Sequence, residues 1–205
     1  MSRTSIRWVI KFGGSLCRSA TLGAWLKSLA EHSCLIVPGG GPFADAVRVL
    51  QKQQGFSDAV AHGLAIRAMA LYGQTLLGME PRLRPFEALH DGAPEHPTSA
   101  PRVWLPDPED PVLQGLEASW AVTSDSIAAQ LALELKLPQL LLIKSLTPPK
   151  GSMRLQSATD QGLIDPAFEK IIREKPLRVW LTGPDPRGLA KGLQDPVSSF
   201  TQLIA

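Results

Sequence analysis

Three short apolar runs in this sequence break off at glycine or lysine: "WVIKFGG" at 8–14, "CLIVPGGG" at 34–41 and "QLLLIKS" at 139–145. Their apolar residues are consecutive rather than alternating. That is the mark of a strand buried on both faces, as in a parallel sheet covered by helices. Segments with helical spacing lie between them, so the chain is confined to an α/β fold. We expect a three-layer αβα sandwich around a mainly parallel sheet. Ligands of such sheets gather at the carboxyl ends of the strands, which is where these glycines and lysines fall.

The intervening segments read as helices. Thr21 is placed to cap one that buries Leu22, Trp25, Leu26 and Leu29. Pro42 suits the first position of a second, with Phe43, Ala46, Val47 and Leu50 on one apolar face and Gly55 as its stop. A third runs from about Ala59 to Leu77. "WAVTSDSIAAQLALELKLP" reads as a short strand, a turn and a helix burying Ile127, Leu131 and Leu135. Beyond it, "PAFEKIIREK" and "PRGLAKGLQ" read as helices, "LRVWLTG" as a strand, and the last residues as an edge strand. Eight of the 18 prolines lie between Pro81 and Pro111, a density that forbids a long helix there. That stretch is a substrate-covering loop, a partner surface, a small lobe or an irregular connection.

Charge narrows the partners. With 21 Lys and Arg against 19 Asp and Glu, the balance is +2. So weak a field argues against nucleic acid or a membrane surface, and no apolar run is long enough to span a bilayer. Cys17 and Cys34 stand apart beside apolar segments, as free buried thiols of a reducing compartment do. We expect a cytoplasmic protein. The four histidines show no metal-ligand spacing, and no metal site is expected.

The strand ends carry the chemistry. In "KFGGS", Lys11 precedes Gly13, Gly14 and Ser15: glycines let backbone N–H groups approach an anion, and lysine adds a full charge. The alternative is a tight turn with a snorkelling lysine. Gly39, Gly40 and Gly41 repeat the pattern before a helix start, with Asp45 in the first turns, either favouring the helix dipole or touching substrate. "TSDS" places Ser124 and Asp125 at a third strand-to-helix junction, where one of them caps the helix, or else Asp125 holds a lysine in position and the hydroxyls contact ligand. Lys144 ends "LLLIK" as Lys11 ends its own strand. His62 lies within the third helix, as packing residue or substrate contact.

Taken in order, "KFGGS", "PGGG" and "TSDSIAAQLA" resemble the amino acid kinase family, and the short length with "GLIDPAFEKII" is most similar to its small kinases of aminomethyl-furanmethanol phosphate, in methanofuran-type cofactor biosynthesis. The resemblance implies one kinase-like domain over 1–205, with an acceptor-binding part at about 1–115 and a nucleotide-binding part at about 116–205. It implies ATP and Mg²⁺ as cofactors, a small phosphorylated substrate and a homo-oligomer. Lys11, Asp125 and Lys144 would be catalytic. Lys11, Gly13, Gly14, Ser15, Lys144 and Lys150 would bind ATP; Gly39, Gly40, Gly41, Asp45, His62 and Ser124 would bind the acceptor. "LTPPKGSMRLQSATDQG" departs from the family pattern, so the second lysine is either Lys144 or Lys150. The same departure motivates an alternative, a nucleotide-binding partner subunit without turnover. A second alternative is a kinase for another acceptor, such as a carboxylate.

Overall fold

The computed structural model describes residues 7–86 and 100–204. In chain order the elements are β1 (Trp8–Phe12), α1 (Leu22–Leu29), β2 (Cys34–Pro38), α2 (Gly41–Gln54), α3 (Asp58–Met79), β3 (Arg84–Phe86), β4 (Arg102–Trp104) and α4 (Ser124–Glu134). There follow β5 (Gln139–Ile143), β6 (Ser152–Arg154), α5 (Leu155–Asp160), α6 (Phe168–Ile172), β7 (Arg178–Thr182), α7 (Leu189–Gln194), α8 (Pro196–Ser199) and β8 (Thr201–Ile204). The strands form one sheet in the order β3-β4-β2-β1-β5-β7-β8-β6, parallel throughout except where β8 runs against β7. This is the expected αβα architecture.

The three apolar runs are the middle of that sheet. β1, β2 and β5 are buried along their whole length. Each sends successive side chains to opposite faces, and the core divides accordingly. Val9, Leu35, Leu140 and Leu142 pack with Ile127 and Leu131 of α4 on one face. Ile10, Ile36, Leu141 and Ile143 pack with Trp25 of α1 and Tyr72 of α3 on the other. The Trp25 ring is fully buried, and its N–H donates to the Pro184 carbonyl at 2.9 Å, tying α1 to the turn after β7. Burial of one such side chain is worth about 2–3 kcal/mol.

Several local expectations are corrected. Thr21 precedes α1 but makes no capping bond; its hydroxyl also donates to Pro184. Residues 120–122 form turns rather than a strand. The helix expected from Pro166 shortens to the five residues of α6. β8 is not at the edge, because β6, three residues with little apolar signal, pairs outside it. The apolar face of α2 meets no core: Phe43 and Leu50 are exposed, and the helix has no buried residue. Gly55 does stop it, in the left-handed region at φ 70°. Cys34 is buried, with its thiol pushed up to about 12 by desolvation, whereas Cys17 is half-buried; both are free. Of the proline-rich stretch, 87–99 lies outside the described residues; the rest forms β3, β4 and a helical turn at Pro111–Leu113.

Candidate active site

Register brings the two strand-end lysines together. β1 lies beside β5 with Lys11 opposite Leu142 and Phe12 opposite Ile143, so Lys144 follows directly at the same end of the sheet. Alternation decides the face. Val9 and Lys11 point one way along β1, as Leu140, Leu142 and Lys144 do from β5, and that is the face covered by α4. There Asp125, in the first turn of α4, receives both: Lys11 Nζ lies 2.9 Å from Oδ1 and Lys144 Nζ 2.7 Å from Oδ2. Lys11 is only 6% exposed and Asp125 5%.

Two cations therefore share one carboxylate in a nearly dry place. Burial pushes the Asp125 carboxyl up, but the two ammonium groups outweigh it and hold the acid down at about 2. Burial lowers the Lys144 ammonium to about 8, with the neighbouring Lys11 charge adding to the fall and Asp125 opposing it. The three groups together carry one net positive charge, which the nearby Asp165 carboxylate offsets in part. An anion can supply the missing charge.

A residue that the sequence reading missed holds this arrangement. Asp165, in the turn before α6, accepts from the backbone N–H of Thr123 at 2.9 Å and of Ser126 at 3.0 Å. It also accepts from both hydroxyls, at 2.8 Å from Thr123 and 2.5 Å from Ser126. The start of α4 is thus capped from outside, by a carboxylate some 40 positions later in the chain, rather than by Ser124 or Asp125. Burial, then the Asp125 charge, raise the Asp165 pKa, and the four bonds oppose the rise. The signal available was "LIDP": an acid between two buried aliphatics and a proline.

The glycine loops explain themselves by contact. A Cβ at Gly14 would strike the backbone of Gly41, and one at Gly39 would strike the backbone of Gly14. The "KFGG" and "PGGG" turns are pressed together with no room for a side chain. Gly41 also sits at φ 53°, a conformation that glycine adopts without strain. The two turns thus adjoin one space, and α2, whose first amides lack partners within the helix, begins there.

That space is a cleft of about 250 Å³. Gly14, Ser15, Gly40 and Gly41 line it from the loops, and Thr123 and Ser124 from the start of α4. Asp45 and Arg48 of α2, His62 of α3 and Trp120 complete the polar and aromatic part, beside apolar Ile66 and Met69. Arg48 lies over the Trp120 ring, 4.0 Å from its centre, and the indole N–H donates to Gln51 at 2.6 Å. His62 hydrogen-bonds the backbone of Ser119; desolvation lowers its pKa, and that bond opposes the fall. Arg48 and Trp120 were not singled out from the sequence; neither stands in a motif. Lys150 is set apart: exposed, in the loop after β5, it lines a separate small cavity with Gly183 and Phe200. Of the two candidates for the second lysine, Lys144 is the one that meets Asp125.

The fold is of the amino acid kinase type, as the motif order implied. The chain is similar to the [5-(aminomethyl)furan-3-yl]methyl phosphate kinase of Methanocaldococcus jannaschii, with 25% identity over 210 residues covering 96% of this chain and 97% of the relative. Its fold is similar to that of the uridylate kinase of Archaeoglobus fulgidus (TM-score 0.70, 17% identity, 97% of this chain and 100% of the other). It is similar as well to the UMP kinase of Ureaplasma parvum (TM-score 0.68, 13% identity, 98% and 99%). No family model matches the chain.

Proposed function

We propose that the protein is an ATP-dependent kinase that converts a small phosphate monoester, [5-(aminomethyl)furan-3-yl]methyl phosphate, to its diphosphate, for a methanofuran-type cofactor. The observation that carries the chemistry is the pair of ammonium groups on one buried carboxylate, beside a cleft where α2 and α4 both begin. The full-length relative supports the acceptor.

In this reading an oxygen of the acceptor phosphate attacks the γ-phosphorus of ATP. A new P–O–P bond forms, the bond to the β,γ-bridging oxygen breaks, and ADP leaves. The acceptor is already an anion, so no general base is required. The difficulty is repulsion between two polyanions, which fixed positive charge relieves at the transferring group. Lys11 and Lys144 supply that charge, and Asp125 orients them. Gly13, Gly14 and Ser15 hold nucleotide phosphates, and Lys150 guards the nucleotide end. Gly40, Gly41 and Ser124 take the acceptor phosphate, with Asp45 and His62 further along the same cleft, while Gly39, whose N–H donates to the Phe12 carbonyl at 2.8 Å, shapes the turn behind them. Among the described residues no three of His, Cys, Asp or Glu gather to hold a metal, so Mg²⁺ would ride on the ATP phosphates and water.

The same reading keeps a single domain, its first 115 residues for the acceptor and the remainder for the nucleotide, in a cytoplasmic homo-oligomer. Among the described residues no helix is long and apolar enough to cross a membrane.

The test is to incubate the folded protein with Mg-ATP and the furan phosphate, following ADP and the diphosphate together. Equal formation of both is expected, and Lys11→Ala should lower kcat by about 10²-fold or more. ATP binding without ADP on this or any other acceptor would replace the reading with that of a binding subunit.

A further inference from the structure

Resting on that reading, we infer that Asp45 selects the acceptor by its aminomethyl cation, so that the cleft reads a zwitterion with a phosphate at one end and an ammonium group at the other. Asp45 is the acidic residue among those that line the cleft. It makes no ion pair among the described residues, although Arg48 stands one turn further along α2. Arg48 is engaged instead with the face of Trp120, so Asp45 is left with an unneutralised carboxylate.

The spacing fits. Gly41, where the phosphate amides lie, is four residues from Asp45 on the same helix, about 6 Å along its axis at the usual rise. A five-membered ring with substituents on carbons 3 and 5 spans a gap of that order. The wall between is apolar, with Ile66 and Met69 beside Trp120, as a flat aromatic ring requires. His62 offers a second acceptor. One of its nitrogens is bonded to the backbone of Ser119, and in the neutral imidazole the other carries a lone pair. A primary ammonium has three N–H donors, and Asp45 and His62 can accept two of them. A nucleoside monophosphate, with no cation, would leave Asp45 without a partner.

The experiment compares two acceptors, the aminomethyl furan phosphate and its 5-methyl counterpart, with the wild-type protein, Asp45→Asn and Asp45→Glu. Asp45 is exposed on its helix, so all three proteins should fold. The wild type is expected to prefer the amine in kcat/KM by on the order of 10- to 100-fold, the range of a hydrogen bond to a charged group. Asp45→Asn should collapse that ratio to within about threefold of unity, chiefly through KM. Asp45→Glu should keep most of it. A ratio that Asp45→Asn leaves intact overturns this inference alone. A folded wild type that turns over neither acceptor overturns the proposed function, and the inference with it.

Discussion

At the scale of single residues, the site is an exercise in unequal charge. Asp125 is outnumbered by the lysines that it holds, and the surplus falls on Lys144, whose ammonium is lowered to about 8. On the proposed reading, a cation that serves phosphoryl transfer is lost as pH rises through that value. In the free enzyme kcat/KM should therefore decline on the alkaline side with an apparent pKa near 8. Lys144→Arg, whose guanidinium stays charged, should remove that limb even if it lowers the maximum. A limb that persists in Lys144→Arg would assign it to another group. The opposite edge concerns stability. The Asp125 carboxyl is depressed below its unfolded value, so its contribution is complete above about pH 4 and is lost as pH falls towards 2. None of this surplus was visible in the sequence, where Lys11, Asp125 and Lys144 are separate letters. The motifs singled out the residues and offered Asp125 as the holder of a lysine; register and the side of the sheet show that all three meet.

At the scale of elements, α4 depends on a cap that it does not encode. Its own N-cap, Thr123, makes no capping bond; Asp165 supplies two backbone and two hydroxyl contacts instead. Asp165→Asn leaves one acceptor oxygen in place of two. It should cost about 2 kcal/mol and lower Tm by on the order of 5 °C for a chain of this size. A purely structural role would end there. The Asp165 charge also favours the Lys144 ammonium, so the alkaline limb should move to lower pH in the same variant; a limb that stays put would reduce Asp165 to a staple. The helix after the second glycine loop was legible because Pro42 and Gly55 are local signals. The cap was not, because a contact over some 40 residues leaves no local pattern. The strand expected at 120–122 failed for a related reason: Trp120 is spent on Arg48 and Gln51, at the lip of the cleft, rather than on the sheet.

Across the whole molecule, the central strands announced themselves and the margins did not. β1, β2, β5 and β7 are apolar enough to read as doubly buried, whereas β3 and β6 are three residues each and rely on a neighbour for definition. The outer side of α2 and α3 shows the reverse mismatch: apolar spacing without burial. Phe43 and Leu50 on one helix, and Val60, Leu64 and Leu71 on the other, stand at helical intervals and remain exposed. Apolar stripes of this size on one chain call for a cover. The oligomer proposed above predicts a mass in light scattering that is a multiple of 22.1 kDa. Val60→Glu with Leu64→Glu should reduce it to a single chain, and a wild type that already runs as one chain would sink the proposal.

The long reach of Asp165 has a consequence for the order in which the protein comes into being. A chain emerging from the ribosome displays both lysines, both glycine turns and Asp125 well before residue 165 leaves the tunnel. Until then the start of α4 has no cap and the ion pairs have no fixed anchor. On the proposed reading, a truncated product would carry the lysines and Asp125 without the cap that sets the start of α4, and so would spend no nucleotide.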